Sequence, residues 1–292
     1  MKPFSYVRAT TIEEAIAARA APRAHILAGG TDLIAQMKAG QRTPEYVVDV
    51  KRVSELNAVT WADPGSPAAG DLVIGAAVSA SRLAGDAAIA ARHPGLHDAL
   101  GIIGSLQIQN RASLGGNICN AAPSADAVPP LIADGAEAEI VGPSAARRRV
   151  PLSEIFAGPG CTTLRDDELL AAVILPDPGA RSGSAYVRFT PRREMDIAVV
   201  GAAARLTLAA DGTIAAARVA LASVAPTPVR APSAEAVLTG AAPVADLFAQ
   251  AGAAAQSDAC PISDTRASAD YRRELIAVLV RRALERANQR IR

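Results

Sequence analysis

Two glycine doublets, about eighty residues apart, constrain this chain more than any other feature: Gly29-Gly30 in HILAGGTDL and Gly115-Gly116 in ASLGGNICNAAPSAD. Adjacent glycines allow a turn with φ > 0 and leave no Cβ between backbone and ligand. Successive N–H groups in such a turn converge on an anion without any lysine. Around the first doublet, Ile26, Leu27 and Ala28 read as a short strand entering the turn. Thr31 or Asp32 then reads as the cap of a helix from Leu33 through Met37 to a stop at Gly40. Around the second, Ser113 precedes the pair and Asn117 follows it. A strand–Gly-Gly–helix connection is also ordinary in α/β proteins, so either doublet alone is compatible with a purely structural role.

Other nucleotide-binding signatures are missing from the string. There is no G-x-x-x-x-G-K-[ST] for a P-loop and no G-x-G-x-x-G after a strand. Gly158-Pro159-Gly160 comes nearest, with proline in the middle and no third glycine. Cys119, Cys161 and Cys260 are scattered without C-x-x-C spacing, so the chain cannot supply the four cysteine ligands of an iron–sulfur cluster. His25, His93 and His97 form no metal motif, and Pro94-Gly95 interrupts the i, i+4 pair; they read as surface or core residues. The formal charge is +1 and aromatic residues make up 3%, which argues against a nucleic-acid surface or a stacking platform. MKPFSYVRATTIEEA lacks the apolar stretch of a signal peptide, and no apolar run reaches the roughly 18 residues of a membrane span, so the cytoplasm is the expected location.

Three units follow one another along the chain. In the first, Thr11 and Glu14 have capping-box spacing, predicting a helix over Ile12–Arg19, and Tyr46–Val50 reads as a strand. The second opens with a Pro/Gly/Ala loop over Asp63–Gly70 and a strand at Leu72–Gly75. A helix started by Ser79 or Ser81 follows, then another over Leu96–Ile103. Beyond the second doublet come a helix around Pro129–Ile132 and a strand at Ala138–Val141. Arg147-Arg148-Arg149 reads as a solvated loop or a partner contact. After a Pro/Gly-rich linker over Pro176–Gly183, strands are expected at Ala185–Phe189, Val199–Leu208 and Arg218–Ser223. Asp211-Gly212 joins the last two in a hairpin. Helices near Ser233–Leu238 and Val244–Ala255 precede a long one from Asp270, whose buried side is predicted as Leu275, Ile276, Val278, Leu279 and Leu284.

Taken together, AGGTDL and SLGGNICNAAPSAD resemble the paired FAD-binding segments of the flavin subunit of molybdenum hydroxylases. That family includes the medium subunit of aerobic carbon monoxide dehydrogenase and the FAD domain of xanthine dehydrogenase. The resemblance covers essentially the whole chain. It implies an α+β fold with a two-subdomain FAD-binding part of the vanillyl-alcohol oxidase (PCMH) type, at residues 1–58 and 59–176. A C-terminal α+β domain with a small antiparallel sheet and helices would occupy 184–292. The residues it assigns to FAD are Ile26, Leu27, Ala28, Gly29, Gly30, Thr31, Asp32, Leu33, Ile103, Ser113, Leu114, Gly115, Gly116, Asn117, Asn120, Asp126, Leu169, Leu170 and Arg188. The two doublets would hold the pyrophosphate through backbone amides, and Asp126 would accept hydrogen bonds from FAD hydroxyls or amides. Leu169 and Leu170 match apolar residues that lie against the isoalloxazine, although core packing explains a Leu-Leu pair equally well. Arg188 stands where relatives usually carry lysine; it could stabilise reduced flavin or a phosphate, or belong to a surface Arg/Glu cluster. Met195 stands where some relatives have an acidic residue, which leaves flavin potential and electron acceptor open. Neither doublet contains a histidine, so FAD is expected to be noncovalent.

The resemblance implies an electron relay rather than a self-sufficient enzyme. A large molybdenum-cofactor subunit would oxidise substrate, and a small subunit with [2Fe–2S] clusters would pass electrons to FAD and on to a terminal acceptor, in a dimer of heterotrimers. A self-contained NAD(P)H-dependent flavin reductase would need its own acid–base pair, and no convincing pair is visible. An interaction subunit without FAD would not need Gly29-Gly30, Gly115-Gly116 and Asp126 together.

Overall fold

The structure is a computed structural model describing residues 1–63, 65–66 and 68–291. It begins with strand β1 (Ser5–Arg8), helix α1 (Ile12–Arg19), β2 (Ala24–Leu27), α2 (Leu33–Lys38) and β3 (Tyr46–Asp49). Thr11 caps α1 by accepting from the Glu14 amide at 3.2 Å. The Glu14 carboxylate reaches back to the amide and hydroxyl of Thr10, one residue earlier than a standard capping box. The three strands form a parallel sheet in the order β1-β3-β2, so β2 delivers Gly29-Gly30 at its C-terminal edge. Ligands gather at the carboxyl ends of parallel strands because helices begin there. Contrary to expectation, neither Thr31 nor Asp32 makes a side-chain cap on α2.

The next unit comprises β4 (Val59–Trp61), β5 (Leu72–Gly75), α3 (Ala80–Ala84), α4 (Ala87–Arg92), α5 (Pro94–Leu100), α6 (Leu106–Gln109), α7 (Leu114–Cys119) and α8 (Val128–Ala133). It continues with β6 (Glu137–Val141), β7 (Arg147–Pro151), the small pair β8 (Phe156–Gly158) and β9 (Cys161–Thr162), and β10 (Leu169–Leu175). Of the loop over Asp63–Gly70, residues 64 and 67 lie outside the described residues. An antiparallel sheet runs β4-β5-β10-β6-β7, with every residue of β10 buried at its centre. The arginine run Arg147–Arg149 is not a loop but part of the edge strand β7. Its charges are absorbed by Glu55 and Glu139, and by Glu168, which accepts two bonds from Arg148 at 3.0 and 2.8 Å.

The last unit is an antiparallel sheet of β11 (Ser182–Phe189), β12 (Val200–Leu208), β13 (Ile214–Ala222) and β14 (Val229–Arg230). It is covered by α9 (Pro232–Leu238), α10 (Ala245–Ala254) and α11 (Ala269–Gln289). Gly212 takes a positive φ and the Thr213 amide bonds the Asp211 carboxylate, which closes the expected hairpin. On α11 the buried stripe includes Ile276, Leu279, Val280, Ala283 and Leu284; Val278, expected inside, is exposed. From Ile276, positions i+3, i+4, i+7 and i+8 fall on one face, whereas i+2 falls on the flank. The segment 176–181 carries no regular structure, yet the Asp177 carboxylate pairs with Arg92 and Arg205 donates to the Pro178 carbonyl. The central apolar cluster crosses the junction, uniting Leu72, Leu114 and Leu131 with Tyr186, Ala203 and Ala220.

Candidate functional site

A cleft of about 660 Å³ separates the first glycine segment from the second, with the starts of β10 and the 195–197 loop completing its wall. The two walls come together because glycine removes side chains where backbones meet. A Cβ on Gly29 would lie 2.7 Å from the Arg111 carbonyl carbon and 2.9 Å from Ala112 Cα. A Cβ on Gly115 would lie 2.5 Å from Ala76 Cβ. The second segment is strapped along residues 76–80: Gly115 N donates to Ala76 O at 2.9 Å, Leu114 N to Val78 O at 3.0 Å, and Ala80 N to Ala112 O at 2.8 Å. Gln36 Nε2 donates to Asn120 Oδ1 at 3.1 Å, which ties together two residues that line the cleft.

The doublets are therefore not equivalent. Of the four glycines only Gly30 has a positive φ, +77°. Gly115 and Gly116 are helical residues of α7, not a left-handed turn, and the Ser113 hydroxyl caps that helix by accepting from Gly116 N at 3.0 Å. Asn117 N donates to Ser113 O. The amides expected to cradle an anion at the second doublet are thus already committed. At the first doublet, no acceptor within the chain meets the amides of Gly29, Gly30, Thr31 or Asp32 among the described residues. These half-buried to exposed N–H groups lead into the start of α2 and are free to donate to a ligand, so anion-binding capacity sits on this loop.

The charges agree. Arg19, His25 and Arg42 line the same cleft, with Arg42 Nη1 3.4 Å from His25 Nδ1. Burial, then the neighbouring Arg42 and Arg19 cations, hold the His25 imidazole below its ordinary value. Burial raises Asp32, partly offset by the Thr31 hydroxyl. The Cys119 thiol is pushed up to about 12 by burial, which makes it a packing group and not a nucleophile. Among the buried side-chain polar atoms without a partner in the described residues, Asn117 Oδ1 belongs to a residue that lines the cleft and Arg188 Nη2 to the partner of Asp126.

Comparison with known proteins decides what such a cleft belongs to. A family model described as the FAD binding domain in molybdopterin dehydrogenase matches residues 2–178. A second, described as the CO dehydrogenase flavoprotein C-terminal domain, matches residues 185–287. The chain belongs to this family of FAD-binding subunits. Among its relatives, the xanthine dehydrogenase FAD-binding subunit of Escherichia coli O157:H7 is 36% identical over 286 residues, covering 97% of this chain and 95% of that one. The carbon monoxide dehydrogenase medium chain of Afipia carboxidovorans is 34% identical over 289 residues, covering 98% and 97%. In structure, a carbon monoxide dehydrogenase chain from Hydrogenophaga pseudoflava superposes with a TM-score of 0.92 at 32% identity, covering 100% of both chains.

In this FAD-binding subunit, most residues implicated from sequence line the cleft: Ile26, Ala28 to Leu33, Ile103, Ser113, Gly115, Gly116, Asn117, Asn120, Asp126, Leu169 and Leu170. Three do not. Leu114 is packed in the core. Leu27 lies behind the loop, where its Cδ1 occupies the space a Gly30 Cβ would need. Arg188 is drawn away by an ion pair with the Asp126 carboxylate. Asp126 also accepts from the Tyr186 hydroxyl at 2.8 Å. Burial pushes its carboxyl up to about 6 against the opposing pull of Arg188 and Tyr186. Arg19, His25, Gln36, Arg42 and Thr162 also line the cleft and carry no sequence signal for it; His25, read as surface or core, faces the cleft. No local motif marks them, because they arrive from separate elements. The cleft fits FAD: unpaired amides and two arginines suit a pyrophosphate, Asn117 offers an unused acceptor, and Leu169 and Leu170 supply an apolar wall. No helix among the described residues is long and apolar enough to cross a membrane.

Proposed function

We propose that the cleft binds one noncovalent FAD and that the chain is the electron-transfer subunit of a molybdenum hydroxylase. Electrons would come from the [2Fe–2S] clusters of a small partner subunit and leave for a terminal acceptor. Substrate would be oxidised at a large molybdenum-cofactor subunit, in a dimer of heterotrimers. The observation that carries the reading is the set of four unpaired amides, Gly29 to Asp32, facing a cleft whose other wall leaves Asn117 Oδ1 unpaired. When bound, FAD accepts electrons singly and gives them up as a pair, which suits a position between one-electron clusters and a two-electron acceptor.

The chain's own residues have three tasks. The Gly29–Asp32 amides, assisted by Arg19 and Arg42, hold negative charge without a counter-ion from solvent. Leu169, Leu170 and Ile103 exclude water from an apolar ring face. Asp126 and Asn117 fix orientation by hydrogen bonding.

The test begins with the purified chain. Acid precipitation should release about one FAD per chain to the supernatant, the occupancy of a single built cleft. Flavin retained in the pellet would refute noncovalent binding, and its absence would refute the site. In the assembly, stopped-flow spectra should show cluster bands bleached by substrate while flavin-depleted chain passes nothing onward; full acceptor turnover without flavin would refute the relay.

A further inference from the structure

Tyr186 is the largest polar side chain in the interior, and neither the doublets nor the cleft account for it. On β11 it lies two residues from Arg188, so the two side chains share one face of the strand. That face meets the segment between α7 and α8, where the two donors take separate oxygens of Asp126: the Tyr186 hydroxyl donates to Oδ1 at 2.8 Å, and Arg188 Nη1 donates to Oδ2. Room for the phenol is built in. A Cβ on Gly201 of neighbouring β12 would collide with the Tyr186 hydroxyl, and Gly201 is the register partner of Arg188. The strand itself is pinned, because Tyr186 N donates to Asp98 Oδ2 at 3.1 Å and Arg286 and Arg290 hold the same carboxylate.

Asp126 remains on the cleft wall. An ionised carboxylate has about four acceptor positions, so two donors from β11 leave capacity for a donor in the cleft. Protonation removes that capacity and turns one oxygen into a donor. We infer that Tyr186 is a positioning residue for the flavin: through Asp126 it keeps an acceptor ionised and aimed into the cleft, and FAD is held less tightly once Asp126 takes up a proton. This rests on the cleft being the FAD site. Burial favours the proton and the two donors oppose it, placing the carboxyl at about 6, so the transition falls in an accessible pH range. Tyr186 and Arg188 are the groups bonded to Asp126; the cleft also carries Asp32, Glu168, Asp196, His25, Cys119, Arg19 and Arg42.

The experiment measures the FAD dissociation constant from pH 5 to 8 by flavin fluorescence, on the full chain and on Tyr186→Phe and Asp126→Asn. Wild type should bind more weakly toward acid. Tyr186→Phe removes a bond to the charged form, so its acid limb should move up by about one pH unit. Asp126→Asn should lose that limb, and any remaining slope belongs to His25 or Asp32. A structural role for Tyr186 predicts uniform weakening at all pH values, and that result, or no change, overturns the inference while leaving the FAD site intact. Failure of wild type to bind FAD at any pH overturns both. If Tyr186→Phe does not fold, infrared difference spectra decide: a protonated-carboxyl band appearing on acidification of wild type and absent in Asp126→Asn supports the inference, and no such band overturns it.

Discussion

Replacing Gly29 by alanine separates two reasons for a glycine. Gly29 has no positive φ, so backbone strain does not forbid a side chain. If conformational freedom were its only role, alanine would stabilise the chain by about 0.4–1 kcal/mol through the unfolded state. The structure predicts the opposite sign. The new Cβ would sit 2.7 Å from the Arg111 carbonyl carbon and nearer still to its oxygen, where ordinary contact begins at 3.4 Å, so the walls must part by at least about 0.7 Å. The obstacle is backbone fixed on both sides: Ala112 N bonds Ile108 O at 2.7 Å and Ala112 O accepts from Ala80 N at 2.8 Å. Overpacking of this kind costs about 1–3 kcal/mol, and a rigid neighbour places it near the top, about 3 kcal/mol. For a chain of this size that lowers Tm by roughly 5 °C. FAD affinity should fall at least about tenfold, since 0.7 Å is enough to break hydrogen-bond geometry on one wall. Gly40→Ala is the control: its φ is +73° with nothing within 4 Å, so it bears only left-handed strain, about 1–2 kcal/mol. Thermal melts with and without FAD decide. Gly29→Ala melting within about 1 °C of wild type would refute the close-approach argument.

Gly116→Ala should be milder, because its Cβ meets only the Ser113 hydroxyl, at 2.8 Å; displacing that cap costs about 1 kcal/mol by urea titration. His93→Ala removes a fully buried ring bonded to Asp134 at 2.9 Å and stacked on Trp61, so the cavity and the lost hydrogen bond should together cost about 3–5 kcal/mol by urea midpoint. The Arg148 guanidinium and the Arg165 amide hold Glu168 below its ordinary value of 4.5, despite opposing desolvation. A lowered carboxyl contributes stability above its unfolded-state value and loses it as pH falls through the folded one. Glu168→Gln should therefore lower stability at pH 7 and flatten the acid limb of a urea-midpoint profile below about pH 4.5; an unchanged limb would show that Glu168 does not titrate with folding.

What could be read from the sequence was whatever is decided locally. Thr11 and Ser79 each start a helix through a bond three residues long, so the signal and its consequence lie in one window. The glycine doublets marked two segments that line one cleft, for a partly wrong reason. Glycine is required either by a positive φ or by a missing Cβ, and the sequence does not distinguish the two. At Gly115 the answer is Ala76, distant in the chain. Arg147–Arg149 looked like a solvated run because the acids that neutralise it, Glu55, Glu139 and Glu168, come from other elements. The cationic corner had no motif at all: Arg19 ends α1, His25 lies in β2, and Arg42 follows α2. Arg188 was foreseen near the flavin, but its partner Asp126 was not foreseen as the group that would claim it.

Domains joined by a proline- and glycine-rich segment are expected to move against each other unless their interface is large and apolar. Here the interface is apolar at its centre, since Tyr186, Ala203 and Ala220 belong to the same buried cluster as Leu72 and Leu114. Polar ties surround it, and several end on the cleft wall. Ser223 N donates to Pro123 O at 2.8 Å, Met195 N donates to Gly104 O at 3.1 Å, and Tyr186 and Arg188 grip Asp126. Gly104 and Asp126 line the cleft, as does Ser124 beside Pro123. Breaking the interface would therefore not merely release a neighbour: it would leave Asp126 buried without donors, and an unpaired carboxylate in that position would take up a proton or draw in water. The first glycine segment provides the unpaired amides, but the carboxylate on the opposite wall depends on the last unit of the chain. The proposed flavin cleft is thus built by both matched segments, 2–178 and 185–287, and a substitution on β11 should be felt in it as directly as one in α7.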